Sequence, residues 1–436
     1  MKFAIALTAS SALLVSAVNA VGNVSQTGRN STKGAFELGL IHESMSYNVK
    51  VWVGSEKDLV NVLLDGKQSY IQVSSSNITD SGVRNSCSHC TTEEQDVFDE
   101  TKSSTFHTFA NDSKRSVPEG SLGFWGHDSI EVHGLTMNEF PFLVTKSVSV
   151  TNDRVLGIGH PAKGESEDES FVFQLKNHGI IKKAAYSLFL NSSESSSGSV
   201  LLGGVDHAKY KGPLVTFPNL SDDFPSVLVQ DLYTTDGGGR KTNFTNGNTY
   251  PAMIDVGLYM TLFPADVLDN ICAELDCNYH TDSHVLQVPC TNSEISFNFN
   301  IGGVIINVPY NEFVWGSDDQ CYISNGIWQN SEMKEFVLGQ DFLRRVYAVI
   351  DLEDNTVSLA PIRYTNEQDI EVISKAIPSA TNATNYTTPS FNSSVLHTPL
   401  PVDYNNHNTT SKGEAVVHGS NAMSMIAFIF ASLFIF

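Results

Sequence analysis

Two aspartates, Asp65 and Asp255, each follow a short apolar run, residues 62–64 in the first case and residues 252–254 in the second. An ionised carboxylate is costly to bury unless it is paired. Either aspartate alone fits an ordinary turn. The repetition instead predicts two similar lobes that each supply one carboxylate to a shared site. Two facing carboxylates share one proton, so one can act as base on a water while the other acts as acid.

The elements that would position these acids are mostly strands. Short runs rich in Val, Ile, Phe and Tyr alternate with Gly, Asn and Ser turns from residue 47 to residue 361, a pattern typical of strands. The few predicted helices lie at residues 171–177, 264–275 and 341–345. A chain of 436 residues is long enough for two lobes with large cores.

Several segments along the chain carry a family resemblance. In order, they are SYNVKVWVGSEKDLVNVLLDG, VFDETKSSTF, FWGHDSIEV, VLGIGH, GIIKKAAYSLFLN, SVLLGGVDHAKYKGPL and VLGQDFLRRVYAVIDLEDNTVSLAP. Together, over residues 46–364, they resemble the pepsin-like aspartic peptidases, most closely the fungal yapsin and candidapepsin branch. The resemblance implies a mostly β, bilobal fold, with two pseudo-symmetric β-barrel-like lobes and a cleft between them. It places Asp65 and Asp255 as the catalytic pair and implies no cofactor and no metal.

Both catalytic turns depart from the family pattern. The family has Asp-Thr-Gly-Ser at the first turn, where residues 65–68 are Asp-Gly-Lys-Gln. It has Asp-Ser/Thr-Gly-Thr at the second turn, where residues 255–258 are Asp-Val-Gly-Leu. In the family, the lost hydroxyls link the two turns and donate to a carboxylate. Lys67 adds a cation beside the pair, which favours ionised carboxylates over a shared proton.

The strand that would cover the cleft is altered as well. The register from SSTFHTF places Ala110-Asn-Asp-Ser where the family has Tyr-Gly-Asp-Gly. Asn111 also begins a glycosylation sequon, and a glycan there would sit over the cleft. The polar residues near the turns that could compensate for the lost hydroxyls are Gln68, Ser69 and Thr261.

The N-terminal residues have the pattern of a targeting segment. Lys2 precedes an apolar run that leads to the small-residue site Val18-Asn-Ala20, which predicts a signal peptide. Between this site and the first family strands, we expect no room for an inhibitory propeptide. The expected divisions are 1–20 for the signal peptide, 21–45 for a short N-terminal segment, 46–210 and 211–364 for the lobes, 365–412 for a Ser/Thr/Asn-rich glycosylated stalk and 413–436 for an anchor signal.

The apolar C-terminal segment AMSMIAFIFASLFIF follows a polar spacer and small residues. This order predicts a glycosylphosphatidylinositol (GPI) anchor signal. Gly413 is the preferred attachment residue, with Ser411 and Asn421 as alternatives, and a transmembrane tail is the competing interpretation. N-glycosylation sequons begin at Asn23, Asn30, Asn77, Asn111, Asn191, Asn219, Asn243, Asn382, Asn385, Asn392 and Asn408.

The six cysteines form an even set, which suits an oxidising compartment. Spacing alone leaves their pairing open. The family resemblance favours Cys290–Cys321 and Cys87–Cys90, which leaves Cys272–Cys277. Zinc binding at residues 87–90 is disfavoured, because no second ligand pair lies at zinc-site spacing. The scattered histidines are interpreted as surface residues, namely His89, His107, His127, His133 and His160.

The net charge of −22 and the sequence pI of about 4.8 describe an acidic chain. Nucleic acid is disfavoured as a partner, because phosphate binding needs a basic surface. The expected partners are a protein or peptide ligand in the cleft, the membrane through the GPI anchor, and cell-wall polysaccharide. The chain is expected to be a monomer.

Two functional hypotheses follow from these patterns. The first is a cell-surface yapsin-like homologue that is catalytically impaired or inactive and acts as a binding or structural protein of the cell wall. The second is an active aspartic endopeptidase that processes secreted or wall proteins near basic residues at acid pH. The first is preferred, because losing even one preorganised donor typically costs about a hundredfold or more in rate, and several are missing.

Overall fold

Strands dominate the computed structural model, which describes residues 24–26, 32–43, 45–77, 96–109, 123–146, 154–161, 165–280, 285–290, 294–317, 320–323, 333–384 and 386. The strands of the first half are β1 (Val24–Gln26), β2 (Phe36–Glu43), β3 (Ser46–Val53), β4 (Asp58–Asp65), β5 (Ile71–Ser74), β6 (His107–Thr108), β7 (Gly123–Val132), β8 (Leu135–Thr145), β9 (Val155–Gly157), β10 (Ala185–Leu190), β11 (Ser197–Leu202) and β12 (Gly204–Asp206).

The strands of the second half complete the set. They are β13 (Leu214–Pro218), β14 (Ser226–Val229), β15 (Asp231–Thr235), β16 (Lys241–Asn243), β17 (Tyr250–Ile254), β18 (Asn278–His280), β19 (Val285–Val288), β20 (Ser296–Ile301), β21 (Val304–Pro309), β22 (Val314–Ser317), β23 (Gln320–Ile323), β24 (Phe336–Leu338), β25 (Val346–Asp351), β26 (Thr356–Pro361), β27 (Ile370–Val372) and β28 (Ala380–Asn382).

Four α-helices lie in the described residues: α1 (Phe171–Asn177), α2 (Ala265–Leu275), α3 (Tyr310–Phe313) and α4 (Gln340–Leu343). Two 3-10 turns, Glu167–Glu169 and His207–Lys209, accompany them. The three helices predicted from the sequence are present, with ends that differ by at most two residues. None of the helices in this part of the chain is long and apolar enough to cross a membrane.

Strand β4 shows how the sequence directs one acid toward the site. Val60, Val62 and Leu64 are fully buried, as expected where alternate side chains of a strand face a core. β4 pairs antiparallel with β3 and parallel with β9, whose Gly157 is the register partner of Asp65. The carboxylate therefore emerges where two buried strands end together.

The same arrangement occurs in the second lobe. β17 pairs parallel with β24, in register from Ala252 and Phe336 to Ile254 and Leu338, and Asp255 follows β17 directly. In each lobe a glycine lets the following chain cross the catalytic turn closely. A Cβ on Gly157 or Gly339 would meet backbone atoms at 2.6 Å, closer than any side chain tolerates.

One long sheet joins the two lobes. Its strand order is β28-β13-β26-β25-β10-β11-β2-β3-β4-β9-β5-β8-β7-β6, and β1 pairs with β8. Smaller sheets are β12-β27, β14-β17-β24, β16-β15-β20-β21 and β18-β19-β23-β22. The expectation of a mostly β, bilobal fold is thus confirmed.

The expected lobe boundaries are too narrow at both ends. β2 lies before residue 46, yet it is an inner strand of the long sheet between β11 and β3. The stalk was expected to begin at residue 365, but β27 and β28 pair with β12 and β13. Ile373 and Ile377 are buried in this region. The segment is polar in composition, and these few apolar residues are enough to hold it on the body.

Candidate active site

The Asp65 carboxylate is fixed by the backbone of its own turn. The Lys67 and Gln68 N–H groups donate to its Oδ1 at 2.6 and 3.0 Å. Asp65 is only 3% exposed. The turn has therefore kept backbone donors to its carboxylate even though its sequence departs from the family pattern.

The Asp255 carboxylate lies beside it. The Gly257 N–H donates to Asp255 Oδ1 at 3.0 Å. A Cβ built on Gly257 would lie 3.3 Å from Asp255 Oδ1 and 3.8 Å from Asp65 Oδ2. Both carboxylates thus border one small space, as the sequence repeat predicts.

Lys67 reaches from the first turn to the second. Its Nζ lies 2.9 Å from Asp255 Oδ2, and the Asp255 side chain is only 3% exposed while that of Lys67 is 31% exposed. Both Asp255 oxygens therefore have a protein donor, the Gly257 N–H on Oδ1 and the Lys67 ammonium on Oδ2. The expectation of a cation at the pair is confirmed, and this cation forms an ion pair between the lobes.

The charges of the site follow from burial and from this ion pair. Burial raises the pKa of Asp65, the Lys67 ammonium opposes that rise, and Asp255 adds to it. Burial would lower the pKa of Lys67, but the Asp255 and Asp65 carboxylates outweigh it, so the pKa of Lys67 is raised. Lys67 is consequently a stable cation. It lies between Asp65, whose raised pKa favours the protonated carboxyl, and Asp255, with which it forms the ion pair.

The contact that replaces the lost hydroxyl link is apolar. A Cβ on Gly66 would lie 3.7 Å from a Val256 methyl group, an ordinary van der Waals distance. The Val256 carbonyl instead accepts from Gln340 Nε2 at 2.9 Å. Sequence reasoning missed Gln340. The available signal was a polar residue directly after the Val-Leu-Gly run at residues 337–339.

The proposed compensating hydroxyls bond elsewhere. Ser69 Oγ donates to Glu165 Oε2 at 3.1 Å. Thr261 Oγ1 donates to Asp341 Oδ1 at 2.5 Å and accepts from the Gly339 N–H at 3.0 Å. These two hydroxyls support the turns from behind and do not replace the donors that the turns have lost.

Other predicted site residues are distributed over the body. Disulfides join Cys272 to Cys277 and Cys290 to Cys321. No cluster of three or more potential metal-binding side chains occurs in the part of the chain that the structure describes. Several predicted residues lie outside the described residues: Cys87, Cys90, His89, Asn23, Asn30, Asn111, Asn385, Asn392, Asn408 and Gly413.

The sequons within the described residues differ in how many hydrogen bonds the asparagine Nδ2 donates. Asn77, Asn191, Asn219, Asn243 and Asn382 are all exposed or partly exposed, and the Nδ2 atoms of Asn191 and Asn243 each donate to one side chain, Ser197 Oγ and Asp231 Oδ1. Asn219 Nδ2 donates to Ser221 O, Phe224 O and Asn355 Oδ1 at 2.6, 3.1 and 2.8 Å. A glycan on Asn219 would disrupt this set of hydrogen bonds.

Comparison with known proteins agrees with the site geometry. The family model described as "Eukaryotic aspartyl protease" matches residues 46–362. Secreted aspartic protease 10 of Candida albicans is 33% identical over 372 residues, covering 80% of this chain and 79% of that protein. Aspartic proteinase yapsin-3 of Saccharomyces cerevisiae is 32% identical over 377 residues, covering 80% of this chain and 72% of that protein. The chain therefore belongs to the eukaryotic aspartyl protease family, in its yapsin and candidapepsin branch.

Proposed function

We propose that this chain is a cell-surface binding or structural protein that keeps the aspartic peptidase fold but has little or no peptidase activity. The observation that carries the proposal is the Lys67–Asp255 ion pair at 2.9 Å. Peptide hydrolysis by two carboxylates requires a water that hydrogen-bonds to both of them. With Gly257 on one oxygen of Asp255 and Lys67 on the other, the ammonium occupies the position that such a water needs.

A charged side chain also lies beside the base. The family has a neutral glycine at the position of Lys67, and here the Lys67 Nζ lies 2.9 Å from Asp255 Oδ2. Asp255 would have to take a proton from water while facing Lys67, whose own pKa is raised and which remains charged. The lost hydroxyl donors at residues 66 and 256 remove further stabilisation, and one such donor is typically worth about a hundredfold in rate.

We propose that a peptide ligand binds in the cleft that the family fold implies. The relatives named above are described as secreted aspartic protease and yapsin, so a secretory-pathway protein is the coarse assignment that they support. We extend it to a GPI-anchored protein of the plasma membrane or cell wall, with residues 413–436 as the anchor signal and Gly413 as the attachment residue. Peptide binding without cleavage needs no cofactor. Cell-wall polysaccharide is a further proposed partner.

An active endopeptidase is the second candidate. It is favoured by the retention of Asp65 and Asp255 next to the same small space and by the raised pKa of Asp65, which suits an acid. In this case the enzyme would cut secreted or wall proteins near basic residues at acid pH. Lys67 would then have to leave Asp255 when substrate binds.

Binding of a statine-type transition-state analogue between about pH 3 and 6 separates the two functions, because such compounds bind assembled sites far more tightly than substrates do. We expect no measurable binding by calorimetry to wild-type protein that shows a cooperative unfolding transition. Tight binding that is lost in Asp255→Asn would overturn the proposal and establish the peptidase.

The anchor has its own test. Phosphatidylinositol-specific phospholipase C should release the protein from membranes, because it cleaves the lipid of a GPI anchor. Retention on the membrane after treatment, with a known GPI protein released in parallel, would favour the transmembrane alternative.

A further inference from the structure

His107 and His127 form a histidine pair that takes no part in the contacts of Asp65 and Asp255 described above. They are direct register partners between β6 and β7. Two residues further along the same pairing, the Phe109 N–H donates to the Trp125 carbonyl at 3.1 Å. Opposite residues on neighbouring antiparallel strands project to the same face of the sheet. The two imidazoles therefore face the same side.

The separation of the rings suits a shared metal ion. Their centroids are 5.4 Å apart, with an angle of 33° between the ring planes. Two imidazoles bound tetrahedrally to one Zn²⁺ have centroids about 5 Å apart, because each ligating nitrogen lies about 2 Å from the metal. Small rotations of the two side chains would bring one nitrogen of each ring onto a common ion.

The ring nitrogens are also available. Among the described residues, no side-chain hydrogen bond or ion pair involves either imidazole, and their side-chain contacts are the ring contacts with each other and with Phe109. His107 is exposed and His127 is partly exposed, so an ion from solvent reaches both. The Phe109 ring lies 5.1 Å from the His127 ring.

We propose that His107 and His127 bind a divalent transition-metal ion of the Zn²⁺ type across the β6–β7 pair, with water completing the coordination. Imidazole ligands select zinc, copper and nickel over magnesium and calcium, which prefer oxygen ligands. The strongly negative chain, with a net charge of −22, favours any cation near its surface. The ion links two strands whose pairing here is short, and it thereby stabilises that pairing.

Zinc titration of the full chain, purified without a histidine tag, tests this site. Wild-type protein should bind one more equivalent of Zn²⁺ by calorimetry than the double variant His107→Ala/His127→Ala. Each single variant should weaken that equivalent roughly tenfold or more, because the second imidazole binds intramolecularly. His133→Asn, at an exposed turn residue of the same hairpin, is the matched control and should bind as wild type does, and Mg²⁺ should not compete.

Hydrogen exchange gives a second readout. Because the metal stabilises the state it binds, Zn²⁺ should slow exchange of the Phe109 amide in wild-type protein and leave it unchanged in the double variant. Equal zinc equivalents in wild type and double variant, with both proteins folded, would overturn the proposal. So would zinc protection of Phe109 that survives in the double variant.

Discussion

The two catalytic turns share a backbone and differ in their side chains. Each follows a strand in parallel pairing with a Val-Leu-Gly or Phe-Val-Leu strand, and each receives a close crossing of chain at a glycine. At the first turn the carboxylate is held by two backbone N–H groups, whereas at the second it is held by one N–H and by Lys67 from the other lobe. The backbone arrangement is therefore duplicated, while the set of donors to the two carboxylates is not.

This difference separates the interactions that keep the fold from those on which the proposed loss of activity rests. Backbone pairing and close-packed glycines do not depend on the hydroxyls at residues 66 and 256, so those hydroxyls can be lost without losing the site's shape. Under the proposed function, the loss of activity follows from the donor that each carboxylate oxygen receives. One lysine changes that assignment without disturbing either strand.

Replacing Lys67 should have the largest effect, because it removes the asymmetry between the turns. Lys67→Gly restores the family's residue and frees Asp255 Oδ2, so we expect a statine-type analogue to bind at least about a hundredfold more tightly than to wild type. Calorimetry at about pH 4 measures this change. Lys57→Gly, which breaks an exposed ion pair with Glu131, is the matched control; equal affinities in all three proteins would show that Lys67 does not block the site.

The shared scaffold should fail similarly in both lobes. Gly157→Ala and Gly339→Ala each place a methyl group 2.6 Å from backbone atoms, and overpacking of this kind costs about 3 kcal/mol or more. Gly66→Ala, whose methyl group meets only the side chains of Val256 and Tyr186 at 3.7 and 3.9 Å, should change stability by less than about 1 kcal/mol. Urea unfolding measures all three, and tolerance of only one of the two buried alanines would show that the lobes are not equivalent.

The acid behind the second turn should make stability depend on pH. Burial raises the pKa of Asp341 to about 6, against hydrogen bonds from Thr261 that lower it, whereas an unfolded aspartate titrates near about 4. The unfolded chain therefore loses this proton first, and the free energy of unfolding should fall by about 2–3 kcal/mol as pH rises from about 4 to about 6.

Asp341→Asn should flatten this pH dependence, although it lowers stability at every pH by disturbing the Thr261 hydrogen bonds. Urea unfolding at several pH values gives the slope. Asp65→Asn is the comparison from the first lobe, since the pKa of Asp65 is raised as well. An unchanged slope in Asp341→Asn would mean that this carboxyl does not retain its proton.

The smallest expected effect concerns the residue after each glycine. Gln340 bonds the Val256 carbonyl, whereas Ile158 holds the matching position in the first lobe. Gln340→Leu should cost about 1–3 kcal/mol in urea unfolding, because it leaves a buried carbonyl unpaired. Ile158→Val should cost about 1 kcal/mol, because it is a purely apolar change. If the Gln340→Leu protein were as stable as wild type, Gln340 would not support the second turn.

Much of the site was predictable because the residues that form each turn are neighbours in the sequence. The alternation in β4, the acids at strand ends and the lysine inside the turn all lie within a few residues of each other, so their meeting followed from the family fold. The position of the ammonium did not follow from the sequence. Whether Lys67 points to solvent or across to Asp255 depends on how the lobes pack, which no single segment encodes.

The missed features are non-local in the same way. Gln340 supports a carbonyl 84 residues earlier in the chain. Strand β28 pairs with β13 across a sequence separation that composition cannot reveal. The composition of a Thr- and Asn-rich segment predicts a stalk. The strand pairing that holds this segment on the body is made with residues near 203–217, far away in the sequence.

That C-terminal segment determines where the chain can be shortened. The Ile373 N–H donates to the Gly203 carbonyl at 2.8 Å, and the Ala383 N–H donates to the Thr216 carbonyl at 3.0 Å. The Tyr386 ring packs 4.8 Å from that of Phe217. Ending a recombinant protein at residue 364 would strip two strands from their neighbours and expose apolar surface that invites self-association. The smallest piece suited to crystallisation and binding assays therefore ends beyond Tyr386.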